Sequence, residues 1–425
     1  MNSQNITRGF LFDLAIETEF IKRQREITPA DFLYAICSES TKGTVSYNDM
    51  ASSISDNGIP VSRQAVWKKM TIECKKFFEQ VLSEVISKKI KPCEIKKQIT
   101  KLGYNRVLLQ DSTIIKLPKR LFESFSGVSN GHSKVCNARI QATYDVISGK
   151  FIEFSIDPYS KNDLKAAPET QFQQGDLVLR DRGYLTNNEI QRHISNEADC
   201  IYRYKYRTIL LDVKTEKILD IFALLKKRKT IDMLVKLNNK ERTIIRIVAV
   251  PASAEVANIR RMKAKKENKS TPTKEYLESL GWTIFITTIP KDKANFKKLF
   301  DLYSLRWRIE IIFKSWKSNL NFDKIHNVSE IQLKVLLMAR FIIIVIYTQF
   351  IYHKYKLIIK KAYDKDLSLL KVLKYLNRNP QRAVDIIEQI STMHIGKPIE
   401  ALAKYCSYDK RKRKNFEQLM YETFA

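Results

Sequence analysis

The stretch RVLLQDSTIIKL, residues 106–117, is where the chain changes character. Upstream, apolar residues recur at helical spacing. Here aliphatic and β-branched residues run together around one acid, Asp111, the pattern of a strand. Moving outward, NARIQATYDVISGKFIEFSI (137–156) contains two more strands joined by a turn at Ser148 and Gly149. NDLKAAPETQFQ (162–173) has helical spacing, DLVLRDRGYL (176–185) reads as a fourth strand, TNNEIQRHI (186–194) as a short helix and ADCIYRYKY (198–206) as a fifth strand. Three strands, a helix, a strand, a helix and a strand make a mixed α/β domain over 101–206.

Residues 207–281 interrupt that domain with short β runs, ILLDV, DMLVKL and TIIRIVAV, and a basic helical stretch, NIRRMKAKKENKS. They are expected to form a β-rich insertion. WTIFITTI then supplies one more strand, and the helical stretch LYSLRWRIEIIFKSWKSNL (302–320) follows, so 282–328 completes the core. Residues 1–100 and 329–425 read as helical. In the first of these, Thr28 is placed to cap a helix with Pro29 at its first position. SYNDMASSIS, DNGIP and VSRQAVWKKM read as helix, turn and helix. Ser62 would cap the second helix, exposing Arg63, Gln64, Lys68 and Lys69 with Val66 and Trp67 inward. Such a unit can lay its second helix in the DNA major groove, which makes Arg63, Gln64 and Lys68 candidate DNA contacts. A purely structural hairpin is the other reading.

The 75 Lys and Arg against 46 Asp and Glu leave a net charge of +29. Polyanions are therefore the expected partners, nucleic acid before acidic membrane. Six scattered cysteines without a C-x-x-C pair argue for reduced thiols, a cytosolic setting and no zinc site. The N-terminus lacks the pattern of a secretory signal. LLMARFIIIVIYTQFIY (336–352) is interrupted by Arg340 and flanked by Lys334, Lys354 and Lys356, so a buried core helix is expected and no membrane association.

On a helix through 302–320, steps of 3, 7 and 14 residues from Tyr303 reach Arg306, Glu310 and Lys317. These four side chains would share a narrow stripe. Leu302, Leu305, Ile309, Ile312, Phe313, Trp316 and Leu320 form an apolar stripe beside it. One carboxylate among a phenol, a guanidinium and an ammonium suits a metal ligand where a phosphate chain passes. Asp111 and Asp181 each stand in or at the end of an apolar strand, where a lone charge is costly without a purpose. Mg²⁺ takes oxygen ligands, and a pair of ions about 3.5–4 Å apart can serve both the attacking and the leaving oxygen. With Glu310 as third ligand, the set points to phosphoryl transfer on nucleic acid.

The run Tyr303, Arg306, Glu310, Lys317 resembles the YREK signature of bacterial DDE transposases of the IS-four type, the group that includes the Tn-five and Tn-ten enzymes. RWRIE followed by FKSWK is especially close to the Tn-five form, and Asp111 in DST and Asp181 in DRGY match the first two acidic positions. The resemblance covers about residues 25–325. It implies an RNase H-like mixed-sheet core with a β-rich insertion between Asp181 and Glu310, flanked by helical N- and C-terminal regions. It implies two Mg²⁺ ions, for which Mn²⁺ substitutes, held by Asp111, Asp181 and Glu310. Tyr303, Arg306 and Lys317 would hold phosphates, and Trp282 would stack on a flipped base. The implied reaction is cut-and-paste transposition of an insertion sequence: strand nicking, hairpin formation at the ends and transfer into target DNA. The implied partners are double-stranded DNA with terminal inverted repeats, target DNA and a second copy of the chain, in the bacterial cytoplasm at the nucleoid. An RNase H-like nuclease and a catalytically retired DNA-binding protein are the alternatives. Lesser candidates are Arg182 and Tyr184 beside Asp181, the basic helix from Arg260 to Lys269, Asp163 as a structural cap and His132 in a solvated loop.

Overall fold

A computed structural model describes residues 6–23, 26–56, 58–88, 102–127, 135–167, 170–267, 270–380, 382–383, 386, 396–409 and 414–424. His132 and part of the basic tail lie outside them. In chain order the elements begin with α1 (Arg8–Glu17), α2 (Pro29–Ser40), α3 (Tyr47–Ser55), α4 (Arg63–Lys69) and α5 (Ile72–Ser87). Next come β1 (Arg106–Lys116), β2 (Asn137–Asp145), β3 (Lys150–Pro158), α6 (Asp163–Ala166), β4 (Asp176–Arg180), α7 (Asn187–Ser195) and β5 (Asp199–Arg203). The insertion holds β6 (Leu210–Leu211), α8 (Ile221–Arg228), β7 (Ile231–Leu237), β8 (Ile244–Pro251), α9 (Ala254–Glu267) and α10 (Lys274–Ser279). Then follow β9 (Trp282–Thr287), α11 (Phe296–Ser304), α12 (Trp307–Asn319), α13 (Glu330–Val345), α14 (His353–Tyr363), α15 (Leu369–Arg378), α16 (Lys397–Tyr405) and α17 (Phe416–Phe424).

Among the described residues nine strands hydrogen-bond in the order β3-β2-β1-β4-β5-β9-β8-β7-β6. β1, β4 and β5 run parallel, whereas β2 and β3 form an antiparallel hairpin. This is the RNase H-like arrangement of a mixed sheet. The hairpin turns on Gly149 at φ +67°, where an added Cβ would meet the His353 ring. The inserted strands continue the same sheet through β8, which pairs antiparallel with β9, and α8 and α10 join the basic helix α9. The helix expected over 162–173 is a single turn, α6, because Ala167 already returns to extended backbone.

The chain forms two compact units, one of Met1–Lys96, Ser112–Pro168 and Arg308–Glu417 and one of Lys97–Asp111, Glu169–Trp307 and Gln418–Ala425. In the first, α13 packs against α2 and α5. The helical run Glu330–Tyr363, with a π-helical stretch at Ile346–Tyr352, is long and apolar enough to cross a membrane, yet 78% of its most apolar window is buried within the protein. Arg340 sits inside it because its guanidinium satisfies the carbonyls of Ser40, Phe322, Gly43 and Lys324 at 2.7–3.2 Å. Five cysteines, Cys37, Cys74, Cys136, Cys200 and Cys406, are free and buried.

Candidate active site

In the second unit the candidate site grows from three neighbouring parallel strands: Asp111 midway along β1, Asp181 just past the end of β4 and Arg203 at the end of β5. Val107, Leu108 and Leu109 of β1 and Leu177, Val178 and Leu179 of β4 are all but fully buried. The ladder pairs Gln110 with Arg180, one residue short of Asp111 and Asp181. The register therefore carries both acids to neighbouring positions on strands about 4.8 Å apart. β5 pairs with β4 through Leu179 and Ile201, so two residues further on Arg203 falls beside Asp181. Asp181 also opens the tight turn Arg182–Tyr184.

Residues 302–320 are not the one continuous helix expected. α11 ends at Ser304, and the amides of Leu305 and Arg306 bond back to Leu302 and Tyr303 before α12 starts at Trp307. Tyr303 thus closes one helix, Arg306 occupies the break and Glu310 enters the first turn of the next. The break lets Tyr303 Oη donate to the Arg180 carbonyl at 3.4 Å. It also lets Arg306 Nη1 meet Asp111 Oδ2 at 3.1 Å. Burial pushes the Tyr303 phenol up to about 12, with Asp181 adding to the rise and Arg306 and Arg203 opposing it. Burial lowers Arg203, reinforced by Arg182 and Arg306 and opposed by Tyr303 and Asp181. Arg260 falls to about 10, from burial and then Arg203. Four guanidiniums, those of Arg182, Arg203, Arg260 and Arg306, thus share this field with Asp181 and Tyr303. Such a concentration of forked cations suits a phosphodiester chain.

Behind Asp181 the strand is locked. Arg180 is buried and paired with Glu189. Its guanidinium lies 5.0 Å from the Phe172 ring and 5.4 Å from the Tyr184 ring. Tyr184 is therefore packing, whereas Arg182 is exposed. Trp282 is half-buried at the start of β9, its carbonyl accepting from Arg260 Nη1 at 3.0 Å. Arg260 and Arg261 fold back on the residues leading into β9, while Lys263, Lys265 and Lys266 of the same helix are exposed.

In the first unit, Glu310 lies near the positive end of α12, where the helix dipole favours a carboxylate. The apolar stripe is buried as expected. Trp316 sits among Phe151, Phe154, Phe313, Phe322 and Phe341, with ring centroids 5.0–6.2 Å away. Lys317 Nζ donates to the Ile114 carbonyl at 2.7 Å, and burial lowers its pKa. Asp163 follows the cap residue Asn162, pairs with Arg139 and accepts from Ser112 at 2.6 Å. On α4, Arg63, Gln64 and Lys68 are exposed. Trp67 does not pack inward but is 56% exposed. Lys69 instead lies over the Phe20 ring at 5.1 Å.

Sequence reading missed Arg203 and Trp307, the latter 61% exposed next to Arg306. Arg203 ends a buried strand much as Asp181 directly follows one, and that signal was available. Among the described residues, no three His, Cys, Asp or Glu side chains gather closely enough to hold a metal ion. Asp111 and Asp181 are adjacent by register, and Glu310 belongs to the other unit.

A mixed sheet in this strand order, flanked by helices, defines the RNase H-like class of fold. Residues 104–346 match the family described as the transposase DDE domain, and the chain belongs to that family, as a bacterial DDE transposase of the IS-four type. It is thus a metal-dependent enzyme that cleaves DNA and transfers strands. A relative from Bacillus thuringiensis subsp. finitimus, the transposase for insertion sequence element IS231E, is 24% identical over 98% of this chain and 92% of its own. The transposase for IS1151 from Clostridium perfringens is 23% identical over 96% of this chain and 91% of its own. A cryo-EM structure of a piggyBac transposase synaptic complex with hairpin DNA aligns with TM-score 0.48 at 9% identity, over 98% of this chain and 88% of that one.

Proposed function

We propose that the chain mobilises an insertion sequence by a cut-and-paste route, with Asp111, Asp181 and Glu310 as the ligands of two Mg²⁺ ions that Mn²⁺ can replace. The observation that carries this reading is the register that aligns Asp111 with Asp181 beneath a cluster of guanidiniums. Three carboxylates are hard oxygen donors that fit such ions. The ions, when bound, would polarise phosphate oxygens and activate the attacking hydroxyl. Arg306 would shift its guanidinium from Asp111 to the incoming phosphate, while Tyr303 and Lys317 steady the neighbouring ones.

In the first step a water oxygen attacks a phosphorus at the element's end and the 3′-oxygen leaves, taking up a proton. That 3′-hydroxyl then attacks the opposite strand, closing a hairpin as a second 3′-oxygen departs. Trp282 would stack on the base this sharp bend expels. Reopening the hairpin restores the 3′-hydroxyl that joins target DNA. Residues 1–100 would bind terminal inverted repeats, with Arg63, Gln64 and Lys68 as contacts. The core segments 101–206 and 282–328 would do the chemistry around the 207–281 insertion, followed by the helical C-terminal region 329–425. Two copies would pair two ends, in the cytoplasm at the nucleoid.

The test is cleavage of end-bearing DNA with Mg²⁺, resolved on a denaturing gel. Glu310→Gln should bind ends and not nick them, and normal nicking by this variant would remove the metal role. Trp282→Ala should nick but close fewer hairpins. Wild type that nicks and never forms hairpins or joined products would leave a nuclease instead.

A further inference from the structure

We propose that Trp67 reads DNA sequence, an inference that rests on the N-terminal helices binding the element's ends. Folding gives no account of this side chain. Seven-residue α4 packs on α3 and is held by Ser62, which caps it through the Ala65 amide, and by Val66, which is fully buried. Met70, just beyond the helix, is buried as well. Trp67 lies about 100° from Val66 around the helix, Gln64 about 160° and Lys68 about 200°. The three form one outward face, with exposed Arg63 at its edge.

Leaving most of an indole in water forfeits burial that a core position would give. The charge around it selects the occupant. Two cations and an amide border the ring, in a chain of net charge +29, which suits an anionic polymer better than an apolar protein surface. Arg63 and Lys68 can meet phosphates, Gln64 can pair with an adenine edge, and the indole can press on a thymine methyl while its N–H donates to a base acceptor. Phosphate contacts set position and base contacts set sequence. The face divides along that line, with Trp67 on the sequence-reading side.

The experiment is selection from random-sequence duplexes by the full-length protein, followed by binding of the selected duplex and a shuffled one. Wild type should enrich a motif. Trp67→Ala should lose preference at one or two adjacent positions, with about tenfold less discrimination between the duplexes, and Trp67→Phe should keep part of it. Lys68→Ala should weaken binding to both duplexes alike. Thermal unfolding should change little in Trp67→Ala, since more than half of the side chain already lies in water. If Trp67→Ala enriches the wild-type motif undiminished, the inference fails while end binding stands. If only its sedimentation changes, the face is a protein interface and the inference fails likewise. Should wild type enrich no motif, the end-binding reading falls and takes this one with it.

Discussion

Arg306 and Asp111, 195 residues apart in the chain, meet at 3.1 Å with both side chains largely withdrawn from solvent. The contact ties the break between α11 and α12 to the middle of β1. It also gives the carboxylate a counter-charge, which the proposed reaction would hand on to a phosphate. Arg306→Lys is expected to lower the nicking rate about 100-fold, because a single ammonium cannot serve carboxylate and phosphate with separate forked donors. Single-turnover cleavage at saturating DNA measures this, and a rate within threefold of wild type, or about that, would remove Arg306 from the reaction.

Arg203 ends β5 beside Asp181, and its charge bears on the Tyr303 phenol. Arg203→Met is expected to weaken binding of end DNA and to reduce the slope of log affinity against log salt by about 1. An unchanged slope would make Arg203 a packing residue.

His193 is fully buried beside β5, hydrogen-bonded to Tyr202 at 2.9 Å, and burial, then Arg180 and Arg192, depresses its pKa from 6.5 to about 2. The folded protein keeps this imidazole neutral while the unfolded chain protonates it below 6.5. Its contribution is therefore present above 6.5 and lost as pH falls from there toward 2, at about 1.4 kcal/mol per pH unit. Denaturant unfolding between pH 7 and 5 should be less steeply pH-dependent in His193→Gln. Parallel profiles for the two proteins would contradict the assignment.

Trp316 anchors the helix that carries Glu310 within a cage of five phenylalanines. Trp316→Ala should cost about 3–5 kcal/mol of stability. Nicking should also fall in the fraction that remains folded, because the Glu310 helix loses its seat. A midpoint shift corresponding to less than about 1 kcal/mol would show the cage to be slack.

Chelation gives a further check. With EDTA in place of Mg²⁺, retarded complexes with end DNA should persist while nicked product disappears. Cleavage that continues under exhaustive chelation would overturn the family's metal chemistry for this chain.

The secondary structure of the core was legible because apolar period and length distinguish its strands from its helices. Asp111 and Asp181 were legible because an acid is conspicuous on an apolar strand. The YREK stretch was legible in residue type but not in shape. Counting around one ideal helix placed Tyr303, Arg306, Glu310 and Lys317 in a stripe, whereas the chain breaks at Leu305 and Arg306 without a proline or glycine to announce it. Trp67 was assigned inward on apolarity alone, which cannot say which side of a short helix finds neighbours.

Local order and chemical type were in the sequence by itself: where β1 begins, which strands carry acids, that the chain is strongly cationic, and which family its motifs resemble. Only the tertiary structure decided that β4 pairs beside β1 in the register that aligns Asp111 with Asp181, that β5 brings Arg203 next to them, and that a helix break delivers Arg306 to Asp111. The physical reason is range. Periodicity and capping act within a few residues, whereas strand register and buried charge pairing depend on partners tens to hundreds of residues away, chosen by the packing of the whole fold.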